Sequence, residues 1–205
     1  MNNSKTKTGS IAKGKATENG RGKSTSAKKT AQPSSMQSSQ LMKLFETELK
    51  DIYWAEKVLT KTLPKMVKNA SSPELVTSLK NQLNETQEHV SRLEKIFEVT
   101  GVQATAKKCE AMDGILKETN NLIKQTDLGV VRDAGMIAAG QKVKHYEIAT
   151  YGTLHAYAKT LGENKAANLL ALSLDEEKKT DALLTGIAMS HINKQAHKAD
   201  AITNT

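Results

Sequence analysis

The chain of 205 residues contains a single cysteine, Cys109. A lone thiol cannot close an intramolecular disulfide, so the fold must hold without covalent staples, which suits a reducing cytoplasm. It also excludes a zinc cluster built on cysteines, and Cys109 is expected to be a small packing residue. Long apolar runs are absent as well. Nothing approaches the roughly 20 residues that a membrane-spanning helix needs, and the lysines near the N-terminus have no apolar stretch behind them, so no secretory signal is expected. Strand-like alternation is missing. A phosphate-binding glycine loop and a nucleophile paired with a base are missing too, which sets aside nucleotide hydrolysis and acyl transfer.

Charge is present but unevenly placed. The formal net charge is +8, with 30 basic and 22 acidic residues. Residues 1–40 hold eight of the basic residues against one acid, Glu18, and so carry +7, whereas the remainder is close to neutral. Those first forty residues are Ser, Thr, Asn, Gly and Lys with almost nothing to bury, and are expected to be a disordered basic tail. Without interleaved aromatic residues, such a tail suits loose, salt-sensitive contact with nucleic-acid phosphates. The body gives no sign of a nucleic-acid surface. The division expected is a tail at 1–40, a folded domain at 41–195 and a flexible C-terminus at 196–205.

Within the folded part the apolar period is helical almost throughout. The first long helix is expected over about 39–69, with Phe45, Leu49, Ile52, Leu59, Leu63 and Met66 on one stripe and Pro64 kinking its last turns. "SSPEL" starts the second, with Ser72 as N-cap and Pro73 in the first turn, and Gly101 ends it. A connection of nearly thirty residues follows, carrying a short helix in "CEAMDGILKETNNLI" that should pack on the rest. A third long helix spans about 130–161 and a fourth about 165–191. Four long helices with two short turns and one long middle crossover make an all-α, ferritin-like four-helix bundle.

Each long helix then places a glutamate where an apolar residue is expected. Glu56 completes the series 45, 49, 52, 56, 59, 63; Glu177 interrupts the stripe from Leu170 to Leu184; Glu147 sits among Val143, Leu154 and Ala158; and Glu85 borders the face of Leu79, Gln82, Thr86, His89 and Leu93. Glu48 and Asp51 compete for the position of Glu56, and Glu176 competes less well with Glu177. Ionised carboxylates cost several kcal/mol each to desolvate, so a common interior site needs cations, protons or partners. Di-metal bundles meet that need with one Glu from each of two helices and a Glu plus nearby His from each of the others. The candidate ligands are Glu56, Glu85, His89, His145, Glu147, Glu177 and Asp181, with Tyr151 or Tyr53 bonding an outer carboxylate. Few imidazoles among many oxygens favour hard ions, a di-iron or di-manganese pair. A network of protonated or hydrogen-bonded carboxylates is the other reading.

"LFETELKDIYWAEKVLTKTL", "ETQEHVSRLEKIF", "KKCEAMDGILKE", "VRDAGMIAAGQKVKHYEIATYGTL" and "LDEEKKTDALL" follow one another in an order that closely resembles the YciE/YciF family of bacterial ferritin-like, rubrerythrin-related stress proteins. The resemblance covers about residues 41–195. It implies a cytoplasmic, dimeric bundle tied to stress responses, and matches the family pattern at Asp51, Tyr53, Glu56, Glu85, His145, Glu147, Tyr151, Glu176, Glu177 and Asp181. Gln82 departs from it, standing where many relatives have histidine. The functions that follow are a di-metal centre acting on peroxide or oxygen or handling iron, or a non-catalytic helical dimer that binds a partner and keeps a vestigial site.

Overall fold

The computed structural model describes residues 35–203, with side chains described from Gln40 to Ala199. Nearly all of the expected basic tail, and with it any nucleic-acid contact it makes, lies outside the described residues. Helix α1 runs Ser35–Asn69, α2 Pro73–Thr100, α3 Glu110–Gln125, α4 Val130–Leu161 and α5 Asn164–Ile187. A π-helical turn, Ala188–Ile192, then leads into α6, Asn193–Thr203. The helical path thus continues well past the end expected near residue 191. No strand occurs among the described residues, and none of their helices is long and apolar enough to cross a membrane.

The stops are those the residues require. Ser72 accepts from the Leu75 N–H ahead of Pro73, and Gly101 and Gly162 close α2 and α4 at φ 70° and 79°, a left-handed conformation that glycine adopts without a Cβ clash. α1 runs on through Pro64 to Asn69. α1 pairs with α2 and α4 with α5, and the two hairpins close through α1 against α4 and α2 against α5. Ser71 in the first turn bonds Asp133 at the start of α4, and Glu74 meets His191, so α4 begins where α1 ends. The crossover therefore travels the length of the bundle, with α3 laid mainly along α4 and touching α1. This is the four-helix, long-crossover topology expected. Cys109 is buried, caps α3 by accepting from Met112 N, and sits 3.1 Å from Tyr146 Oη.

Candidate metal centre

The inward stripes of the four long helices are apolar at both ends and polar in the middle. On α1, Leu49, Ile52, Leu59 and Leu63 flank Glu56; on α2, Leu79 and Leu93 flank Gln82, Thr86 and His89; on α5, Leu170 and Leu184 flank Ser173, Glu177 and Thr180. α4 contributes Lys144, Glu147 and Tyr151 at successive turns of one face. All of these side chains are buried.

They meet in one cluster. His89 Nδ1 lies 3.2 Å from Glu56 Oε1 and 3.2 Å from Glu177 Oε1. Lys144 Nζ bridges Glu147 Oε2 at 2.6 Å and Glu177 Oε2 at 2.5 Å. Tyr151 Oη donates to Glu56 Oε1 at 2.6 Å. Glu56 Oε2 and Glu147 Oε1 are buried with no hydrogen-bond partner. On the outer side, His89 Nε2 lies 2.8 Å from Glu176 Oε2, a carboxylate that Arg92 grips through both oxygens.

Burial and charge set the protonation of this group. Burial alone would lower His89, but hydrogen bonds to Glu177 and Glu56 and their charges carry it up to about 11. Burial would raise Glu177, yet the Lys144 ammonium and His89 hold it down at about 2. Lys144 is kept as an ammonium because the charges of Glu147, Glu177 and Glu56 outweigh its desolvation. Glu147 is pushed well up by burial and by Glu177, against the pull of Lys144. Tyr151 is raised by burial and by the charge of Glu56, so it stays a donor. Burial would also raise Glu176, but Arg92 and His89 leave it below its ordinary value.

Glu56, His89 and Glu177 come from three helices and bring ligand atoms within 4.8 Å of one another, close enough to hold a metal ion. Their geometry fits one. Donors 3.2 Å apart that share an ion at about 2.1 Å subtend roughly 100°, within the range of tetrahedral and octahedral sites. Glu56 Oε2, the other oxygen of that carboxylate, is buried without a hydrogen-bond partner.

The remaining expected ligands fall elsewhere. Glu147 reaches the cluster through Lys144. Glu85 is half-buried and accepts from Thr180 Oγ1 at 3.0 Å, because Thr86 and His89 take the interior positions of α2. His145, two residues before Glu147, points about 200° away around α4; its side chain is 70% exposed and faces Asp181 at 3.3 Å on the outside of α4 and α5. Asp51 pairs with Lys107, which leaves the interior position of α1 to Glu56. Tyr53 donates to Glu94 and Tyr151 to Glu56, so Tyr151 is the tyrosine at the centre. Sequence reasoning missed Lys144 and Arg92 and ranked Glu176 as a mere competitor. A signal for Lys144 was present, since it lies one turn before Glu147 on the same face of α4, but lysine is normally taken as a surface residue.

Residues 40–197 match a family model described as a domain of unknown function, DUF892. Protein YciF of Escherichia coli strain K12 is 44% identical over 149 residues, spanning 72% of this chain and 90% of the relative. The crystal structure of the E. coli stress protein YciF superposes with a TM-score of 0.72 at 42% identity, covering 75% of this chain and 98% of that one. YcfI from Rhodopseudomonas palustris gives 0.69 at 38% identity, over 71% and 92% of the two chains. A protein from Xanthomonas campestris at 19% identity shares the fold, with a TM-score of 0.65 over 79% of this chain and 99% of that one. From its sequence and its bundle alike, the chain belongs to the YciF family, the proteins that carry the DUF892 domain.

Proposed function

We propose that this chain is a stress-response bundle whose interior takes up one divalent transition-metal ion, iron or manganese, on Glu56, His89 and Glu177. The observation that carries this is the convergence of three buried donors from three helices beside a carboxylate oxygen without a partner. Two oxygens and one imidazole suit Fe(II) and Mn(II). One ion fits better than the pair typical of ferritin-like bundles. The buried carboxylates of the cluster are Glu56, Glu147 and Glu177, and Lys144 is already bound to two of them. Glu85, His145 and Asp181, which a second ion would need, have other partners.

When bound, such an ion supplies one-electron chemistry towards oxygen or peroxide. The chain's own residues prepare the seat. Tyr151 fixes one oxygen of Glu56, Lys144 holds Glu177 and Glu147 in place, and the leucines above and below keep water out. The stress assignment rests on E. coli YciF, which is described as a stress protein.

Anaerobic loading with Fe(II) or Mn(II), followed by elemental analysis, tests the reading. The expected result is about one ion per chain, lost when Glu56→Ala and Glu177→Ala are combined. Two ions per chain would restore the di-metal arrangement. No bound metal would favour the second reading, a metal-free ionic network, for which the pairing of Lys144 and His89 with the same acids speaks. In that case added metal leaves the melting temperature unmoved.

A further inference from the structure

His89 is held at both ring nitrogens, and the outer contact is built as carefully as the inner one. Arg92 donates from Nη1 to Glu176 Oε2 at 2.7 Å and from Nη2 to Oε1 at 3.1 Å, and Nη1 also reaches Ser173 Oγ at 2.8 Å. A guanidinium has donors only, so both Glu176 oxygens serve as acceptors. The hydrogen shared over the 2.8 Å contact between Glu176 and His89 therefore belongs to Nε2. With Nε2 committed outward, Nδ1 is the nitrogen that faces Glu56 and Glu177.

Helix geometry makes this arrangement local. Glu176 and Glu177 are neighbours on α5 and diverge by about 100°, one turned to the core and the other to the edge of α2. Arg92 follows His89 by three residues and so shares its side of α2. Glu176 is 30% exposed and Arg92 14%, so this pair is where the chain of contacts from the buried imidazole comes to the surface.

We propose that Glu176, anchored by Arg92, is a positioning residue for the centre: it fixes the ring orientation of His89, holding the Nε2 proton outward so that Nδ1 is presented inward as a ligand. The proposal rests on the metal reading for its consequence, but the ring orientation itself is observable without metal. Outer carboxylates that orient a ligating histidine usually contribute 10–100-fold in metal affinity.

The experiment uses the full chain with 15N-labelled histidine, zinc as a diamagnetic probe ion, and the variants Glu176→Ala and Glu176→Gln. In the metal-free parent, long-range 1H–15N spectra should show a protected Nε2–H on His89. Glu176→Ala should lose that protection, and Glu176→Gln, whose amide oxygen still accepts, should keep it. With zinc, the parent should bind through Nδ1, Glu176→Ala should bind about 10–100-fold more weakly in competition with a chelator, and Glu176→Gln should recover most of the loss. Absence of a protected Nε2–H in the metal-free parent, coordination through Nε2, or unchanged zinc affinity in Glu176→Ala would each overturn the positioning role. A protected Nε2–H in a parent that binds no zinc, manganese or iron would instead overturn the metal reading and leave the positioning of the ring standing.

Discussion

A histidine ringed by Glu56, Glu176 and Glu177 titrates far from its ordinary range, and that displacement ties stability to pH. His89 rises from 6.5 to about 11 in the fold, so its contribution is complete below pH 6.5 and is lost as pH climbs towards 11. Glu177 falls from 4.5 to about 2, so its contribution is complete above pH 4.5 and is lost as pH drops towards 2. Glu147, whose folded value is raised well above 4.5, contributes fully only below pH 4.5 and loses that contribution as pH climbs beyond it. Urea titrations of the metal-free protein should accordingly give greatest stability at about pH 4.5, declining on either side, with His89 adding to the loss above pH 6.5. In His89→Gln the alkaline limb should flatten. Lys144 supplies the second test at this scale. Removing one partner of a buried ion pair costs about 3–5 kcal/mol. Lys144→Ala should show a loss of that order in denaturant melts without metal, partly recovered on adding Mn(II), because a divalent ion can replace the missing charge. The acids of this cluster were legible in the sequence because a carboxylate in an apolar stripe breaks a strong pattern. Lys144 was not read as a member of it, because lysine is normally a surface residue even where, as here, it shares a face with Glu147.

At the scale of elements, the four long helices and their caps were legible to within a few residues, because Ser72–Pro73, Gly101 and Gly162 fix chain direction by local chemistry alone. What joins the hairpins was not. Asp133 is fully buried and accepts from Ser71 N at 2.9 Å, Ser71 Oγ at 2.6 Å and Ser72 N at 2.8 Å, fastening the first turn to the start of α4. Sequence alone shows an aspartate in the first turn of a helix, where it favours the helix dipole. Its partners lie more than sixty positions away. Hydrogen bonds to a charged group contribute about 1.5–3 kcal/mol each, and some of the lost ones would be replaced by water. Asp133→Ala should therefore lower the unfolding free energy by about 3 kcal/mol, with Asp133→Asn lowering it less, as measured by urea titration. His145 and Asp181 show the complementary difficulty. Spacing by eye admits a residue one or two places off the inward face, and 100° per residue turns such a slip into exposure.

For the whole molecule, fold and family were plain from the sequence, since long periodic helices with one extended crossover admit few arrangements. The state of the centre was not, because it depends on side chains from four helices meeting at one level. Binding at that level is linked to global unfolding. At one hundred times the dissociation constant, a folded-state ligand adds about 2.7 kcal/mol. For a domain of this size that corresponds to a rise of about 5–10 °C in melting temperature, to be read by calorimetry with and without Mn(II) and to vanish in the Glu56→Ala, Glu177→Ala double variant.

Because the Lys144 ammonium is covalently attached to α4, no chelator or dialysis step can strip it from the interior. On the metal reading proposed above, a shortage of metal would leave this internal charge in place beside the acids.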